Sequence, residues 1–117
     1  LAGDEEITGE SYLFSKQCVR FLTEHLSAEL LPKRIRVNSV SPGPVSTPIL
    51  EDFKKDHGRD KVEGAGALVG RFGEPEDIAR VIDFLLRPES AWVNGSDIRV
   101  DGGLAAYRGS VFAAQTV

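Results

Sequence analysis

Methionine is missing altogether from these 117 residues, and cysteine and tryptophan occur once each. A lone cysteine, Cys18, excludes an internal disulfide. The two histidines, His25 and His57, stand far apart, so no metal cluster is expected. No apolar run reaches the length of a membrane-spanning helix, and the acidic opening Gly3-Asp4-Glu5-Glu6 is unlike a signal peptide. A basic excess is lacking too. With 14 Lys and Arg against 18 Asp and Glu, the net charge is −4 and the cations are dispersed, leaving no footprint for nucleic acid. These absences predict a cytoplasmic, reducing setting, without membrane, metal or nucleic acid. The missing methionine, with Leu1 at the start, predicts a piece of a longer chain, although an unusual start codon or processing leaves the same trace.

What remains is ordinary globular material, 41% apolar and 27% charged, enough for one small domain. It shows no internal repeat and no linker, so a single unit is expected. Residues 1–9 read as the tail of a loop. From about Glu10 to Leu31 the spacing predicts a helix, with small or apolar residues at 15, 18, 19, 22, 26 and 30 on one buried face. Phe14, Cys18, Phe21 and His25 form a second stripe, which predicts burial on two sides. Cys18 reads as packing filler, and His25 as an interface or surface residue.

Pro32 and Lys33 end that helix. Residues 35–41 read as a strand, with Asn38 among apolar neighbours and supporting the elbow that follows. The elbow is Ser41-Pro42-Gly43-Pro44-Val45-Ser46-Thr47-Pro48. Pro42 and Pro44 stiffen it on both sides of Gly43, which would let a flat ring or a phosphate approach the backbone. Thr47 and Pro48 have the form of an N-cap and first helical residue, with Glu51 and Asp52 in the first turn. Residues 51–74 are polar and carry five glycines, a pattern that suggests mobility. Gly64-Ala65-Gly66-Ala67-Leu68-Val69-Gly70 is not the dinucleotide fingerprint, because its last spacing is wrong and no strand precedes it.

Pro75 opens a second clear helix whose buried face is Ile78, Val81, Ile82 and Leu85, and Pro88 stops it. A turn follows at Asn94-Gly95, and residues 97–101 read as a short strand closed by Gly102-Gly103. Trp92 reads as a packing anchor. The tail beyond Tyr107 has no readable pattern.

Chemistry enters at Tyr12 and Lys16, which stand one above the other if the helix forms. A phenol normally keeps its proton to about pH 10. An ammonium one turn away favours the phenolate, so the phenol can exchange a proton at physiological pH. The spacing alone is common; the helix, strand and Gly/Pro elbow that follow it are not.

Together these motifs resemble the short-chain dehydrogenases/reductases. Tyr12-Leu13-Phe14-Ser15-Lys16 is similar to their Tyr-x-x-x-Lys pair. Ile35 to Gly43 is similar to their strand leading to the nicotinamide, and Pro75 to Ala79 and Asp101-Gly102-Gly103 to their late helix and last strand. The wording from Pro42 to Leu50 and from Trp92 to Leu104 most resembles the branch of hydroxysteroid and coniferyl-alcohol dehydrogenases. The resemblance implies an α/β fold, the C-terminal half of a Rossmann-type doubly wound parallel sheet, with the fingerprint-bearing half outside residues 1–117. It implies a nicotinamide cofactor, NAD or NADP, and hydride exchange with a secondary alcohol or ketone. Tyr12 and Lys16 would be catalytic and touch the cofactor; Pro42, Gly43, Val45 and Thr47 would hold it. Residues 51–74 would form a lid over the substrate, and the protein would assemble as a homodimer or homotetramer. The family's catalytic serine falls upstream of Leu1, and neither Ser11 nor Ser15 takes its place. A truncated relative that acts only in subunit assembly stays open as the alternative, and a nucleic-acid or adaptor module is disfavoured by the acidic balance.

Overall fold

The computed structural model describes residues 2–110, with side chains from residue 10 onward. Its elements run α1 (Ala2–Leu30), a 3-10 turn (Leu31–Lys33), β1 (Ser39–Pro42), α2 (Leu50–His57), α3 (Arg59–Val69), α4 (Pro75–Leu85), a 3-10 turn (Pro88–Ser90), β2 (Asp97–Val100) and α5 (Leu104–Arg108). The two strands pair in parallel. Ser39 donates to the Ser96 carbonyl and Gly43 to the Val100 carbonyl, an unchanged offset along both strands. The chain divides into two compact units, residues 1–40 with 80–98 and residues 41–79 with 99–117, and the division crosses both strands.

In the first unit, α1 starts at Ala2, so residues 2–9 are helical and not a loop tail. Acidic residues in the opening turns suit the positive end of a helix dipole, which outweighs the loop signal of Gly3 and Gly9. Neither apolar stripe of α1 is buried. Phe14, Val19, Phe21 and Leu22 are all exposed, and Thr23, bonded back to the Val19 carbonyl, is the buried residue of this helix among those described. The first unit contains no buried apolar side chain among the described residues; polar latches hold it. Ser27 donates to Asn94 Oδ1 at 3.0 Å, and Arg20 pairs with Asp97 at 3.3 Å. A Cβ at Gly95 would come within 2.7 Å of Ser27 Oγ, so the helix lies directly against that turn.

Arg36 is the hub of the unit. Its guanidinium donates to the carbonyls of Leu85, Arg87, Ser90 and Val93 and to the Ser90 hydroxyl. It thereby gathers carbonyls from the C-terminal end of α4 and the turn after it, of which those of Arg87 and Ser90 also accept from the Ser90 and Val93 N–H groups. The strand expected from residue 35 starts only at Ser39, for a different reason. Val37 donates to Asn94 Oδ1, and its carbonyl accepts from Gly95, so a turn occupies the positions a ladder would use. Asn38 holds that turn as well, through Val93 and Ser96, and does not brace the elbow.

Two apolar expectations fail, one on α4 and one at Trp92. No residue of α4 is buried, and Ile82 of its predicted inner face is 44% exposed. Trp92 is fully exposed and anchors nothing within the described residues. Two strands and one long helix offer too little cover for these side chains.

The second unit carries the buried apolar residues Leu50, Val62, Ala65 and Leu104. Residues 51–74, expected to be mobile, are mostly helical. Gly64 and Gly66 lie inside α3, and Gly70 closes it in a left-handed conformation, φ 103°. The rejected fingerprint is therefore helix and helix cap. Thr47 and Pro48 do not cap α2. They form a preceding turn, Leu50 N–H to the Thr47 carbonyl, and α2 begins at Leu50 with Glu51 and Asp52 in its first turn. Gly102, φ 67°, packs against Val69, where any Cβ would collide with the valine methyl. Asp101 accepts from the Gly103 and Ala105 N–H groups and so starts α5. Among the described residues no buried side-chain polar atom lacks a partner.

Candidate active site

Tyr12 and Lys16 lie one turn apart in uninterrupted helix, and the geometry follows from that spacing. Lys16 Nζ rests 5.2 Å from the centroid of the Tyr12 ring, a cation–π contact. Tyr12 is 44% exposed. Ser15 is turned back into the helix, its hydroxyl donating to the Tyr12 carbonyl at 2.7 Å.

Pro42, Gly43, Val45 and Thr47 belong to the second unit. Their segment is latched on two sides. Gly43 N–H donates to the Val100 carbonyl at 3.1 Å, Gly73 N–H to the Pro44 carbonyl at 2.9 Å and Ser46 N–H to the Gly73 carbonyl at 2.8 Å. The last two bonds form an isolated parallel bridge between Val45 and Gly73. In such a bridge the peptide groups flanking Val45 face Gly73, so the N–H and C=O of Val45 itself face the other way. One donor and one acceptor side by side on a stiff extended segment match a primary carboxamide. A Cβ at Gly43 would meet Asp101 Cα and Cβ at 2.9 Å, so the glycine admits the chain's own backbone.

Gly73 and Asp101 are the neighbours of this segment whose contacts sequence reading missed. A single-residue bridge leaves no periodic signal, and Asp101 was legible as part of a motif without its partners. Around the second unit's helices, Arg71 forks onto Asp77 at 2.8 and 3.2 Å, and this pairing raises the arginine above its usual range. Glu51 is held below the usual carboxylate range, chiefly by the hydrogen bond from Arg59 and then by Lys54. Among the described residues no group of three or more His, Cys, Asp or Glu is placed to hold a metal ion.

A family model described as enoyl-(acyl carrier protein) reductase matches residues 5–105. Over 98 residues the chain is 39% identical to the short-chain reductase protein NovJ of Streptomyces niveus, a match covering 80% of the chain and 37% of NovJ. The chain belongs to the short-chain dehydrogenase/reductase family. Solved members share its fold. A 3-ketoacyl-(acyl-carrier-protein) reductase from Brucella melitensis, complexed with NADH, superposes with a TM-score of 0.68 at 32% identity, covering 80% of the chain and 36% of the reductase. An Agrobacterium tumefaciens protein with bound NADP gives a TM-score of 0.72 at 36% identity, covering 82% of the chain and 39% of that protein. The chain thus spans less than two fifths of these relatives, as part of an α/β Rossmann-type short-chain dehydrogenase fold. No helix among the described residues is long and apolar enough to cross a membrane.

Proposed function

We propose that these residues are the C-terminal portion of a single NAD(P)-binding Rossmann-type domain, in a protein that oxidises secondary alcohols or reduces ketones. The observation that carries this reading is the Lys16 ammonium against the Tyr12 ring, on the helix that precedes the Gly/Pro elbow. The nicotinamide, when bound, supplies or accepts the hydride.

The chain's own residues handle the proton and the placement. Tyr12 gives its hydroxyl proton to the carbonyl oxygen during reduction and takes it back during oxidation. Lys16 keeps its ammonium against the ring that gives up the proton and hydrogen-bonds the cofactor's ribose. Val45, through its own N–H and C=O, and Thr47, through its side chain, hold the nicotinamide end. The backbone around Pro42 and Gly43 holds the nicotinamide as well, and the Gly43 N–H bond to the Val100 carbonyl keeps that segment against β2. Relatives with NADH and with NADP both support a nicotinamide dinucleotide. No G-x-G-x-x-G occurs in these residues, so the choice between NAD and NADP lies outside them. Residues 51–74 act as a lid over the substrate. The wording from Pro42 to Leu50 and from Trp92 to Leu104 supports the narrower hydroxysteroid and coniferyl-alcohol branch.

A second reading, a truncated relative that serves only subunit assembly, has one observation in its favour. Phe14 and Phe21 on α1 are 68% and 70% exposed, a surface that suits a homodimer or homotetramer contact. The two readings separate on Lys16→Ala in the full protein, assayed with secondary alcohols or ketones and either dinucleotide. The enzyme reading predicts lower kcat and weaker cofactor binding together, because the ammonium has two tasks. Unchanged turnover and unchanged cofactor affinity would remove Lys16 from the site, and an inactive wild-type protein would favour assembly.

A further inference from the structure

Only Gly58, φ 90°, separates α2 from α3, so a hinge is available at their junction. Four charges close across it. Lys54 Nζ lies 3.1 Å from Glu51 Oε1 and 3.5 Å from Glu63 Oε1. Arg59 places Nη2 at 2.8 Å from Glu51 Oε2 and Nη1 at 3.4 Å from Glu63 Oε1. Each carboxylate serves both cations, and the ring is neutral as a whole.

Its corners are not equivalent. Glu51, Arg59 and Glu63 are about half exposed, and pairs of that kind contribute little because water and salt screen them. Lys54 is only 7% exposed, and a buried ammonium deprived of its carboxylates is costly. Its Nζ also stands 5.2 Å from the centre of the Phe72 ring. Phe72 in turn closes on Gly66 of α3, where a Cβ would come within 2.6 Å of the ring. One dry lysine on α2 therefore touches a carboxylate on α3 and an aromatic beyond α3 that presses on α3 itself.

We propose that Lys54 is a positioning residue that locks α2 and α3 into one rigid body, so that this pair moves over substrate as a whole and does not flex at Gly58. The lock stands on the contacts of residues 51–72. Its effect on substrate rests on the proposed reading of residues 51–74 as a lid.

Hydrogen exchange read by mass spectrometry on the full protein tests the lock, and steady-state kinetics on the same samples test the lid. The variants are Lys54→Met, which keeps the bulk and removes the charge, and Glu63→Gln, an exposed change that leaves the core untouched. In the wild type, α2 and α3 should exchange in step. In both variants α2 should outpace α3 by about tenfold or more, since coupled neighbours lose their shared opening. Substrate KM should rise severalfold with kcat little changed, the signature of lost uniform binding. Helices that exchange out of step in the wild type, or stay in step in both variants, would overturn the lock. Uncoupled helices with an unchanged KM would keep the lock and overturn the lid reading.

Discussion

Arg34 sits in the left-handed region, φ 58°, at the end of the turn that follows α1. A residue with a Cβ pays roughly 1–2 kcal/mol there. Glycine avoids that strain but loses about 0.5–1 kcal/mol in chain entropy. Arg34→Gly should therefore stabilise the protein by about 0.5–1 kcal/mol, read as a higher denaturant midpoint with an unchanged slope. A lower midpoint would mean that the arginine side chain has a role of its own. The position was not legible in the sequence, because nothing in Pro32-Lys33-Arg34-Ile35 demands a positive φ. Tyr12 and Lys16 were legible, since an i,i+4 pair in a helix meets whatever the rest of the chain does. Trp92 and Ile82 were misread because apolar character was equated with burial, and burial needs a covering partner.

The element scale divides between what local rules dictate and what distant polar partners decide. α4 was legible from Pro75, its acidic first turn and its spacing. The start of β1 was not, because Asn94, more than fifty residues away in sequence, captures the Val37 N–H. Arg36, the residue that ties both regions together, looks in the sequence like any charged residue in a strand. Arg36→Lys should cost about 2–3 kcal/mol, because one ammonium cannot replace a fork that serves four carbonyls. Thermal unfolding checks this, and an unchanged midpoint would contradict it. The α2–α3 pair has a pH dependence of definite sign. Glu51 titrates below the usual carboxylate range in the folded protein, so its contribution is present above the unfolded value and fades as pH falls through the lower folded one. Since Glu51 is well exposed, the effect is small. Hydrogen exchange in α2 should speed up relative to β2 as pH falls below the unfolded carboxylate value, beyond the intrinsic pH trend. Equal change in both elements would exclude a special role for Glu51.

At the scale of the whole molecule, the order of helix, strand, elbow, helix and last strand was legible, because each carries its own turn chemistry. The exposure of α1 on both sides was not foreseen, since periodicity reports which residues share a face and not whether anything covers it. Phe21→Glu should shift the full protein toward monomer in sedimentation or light scattering, because a charge at the α1 contact is costly without a partner. An unchanged assembly would place Phe21 outside any subunit contact. The 117-residue chain by itself should bind NAD(H) or NADP(H) weakly and turn over nothing, since it lacks a pyrophosphate-binding fingerprint. The central claim remains the proton at Tyr12. Tyr12→Phe in the full protein removes only the hydroxyl and leaves the ring beside Lys16. Its kcat, measured across the pH range with cofactor saturating, should fall by about two to four orders of magnitude. A kcat near the wild-type value at every pH would mean that the proton comes from elsewhere.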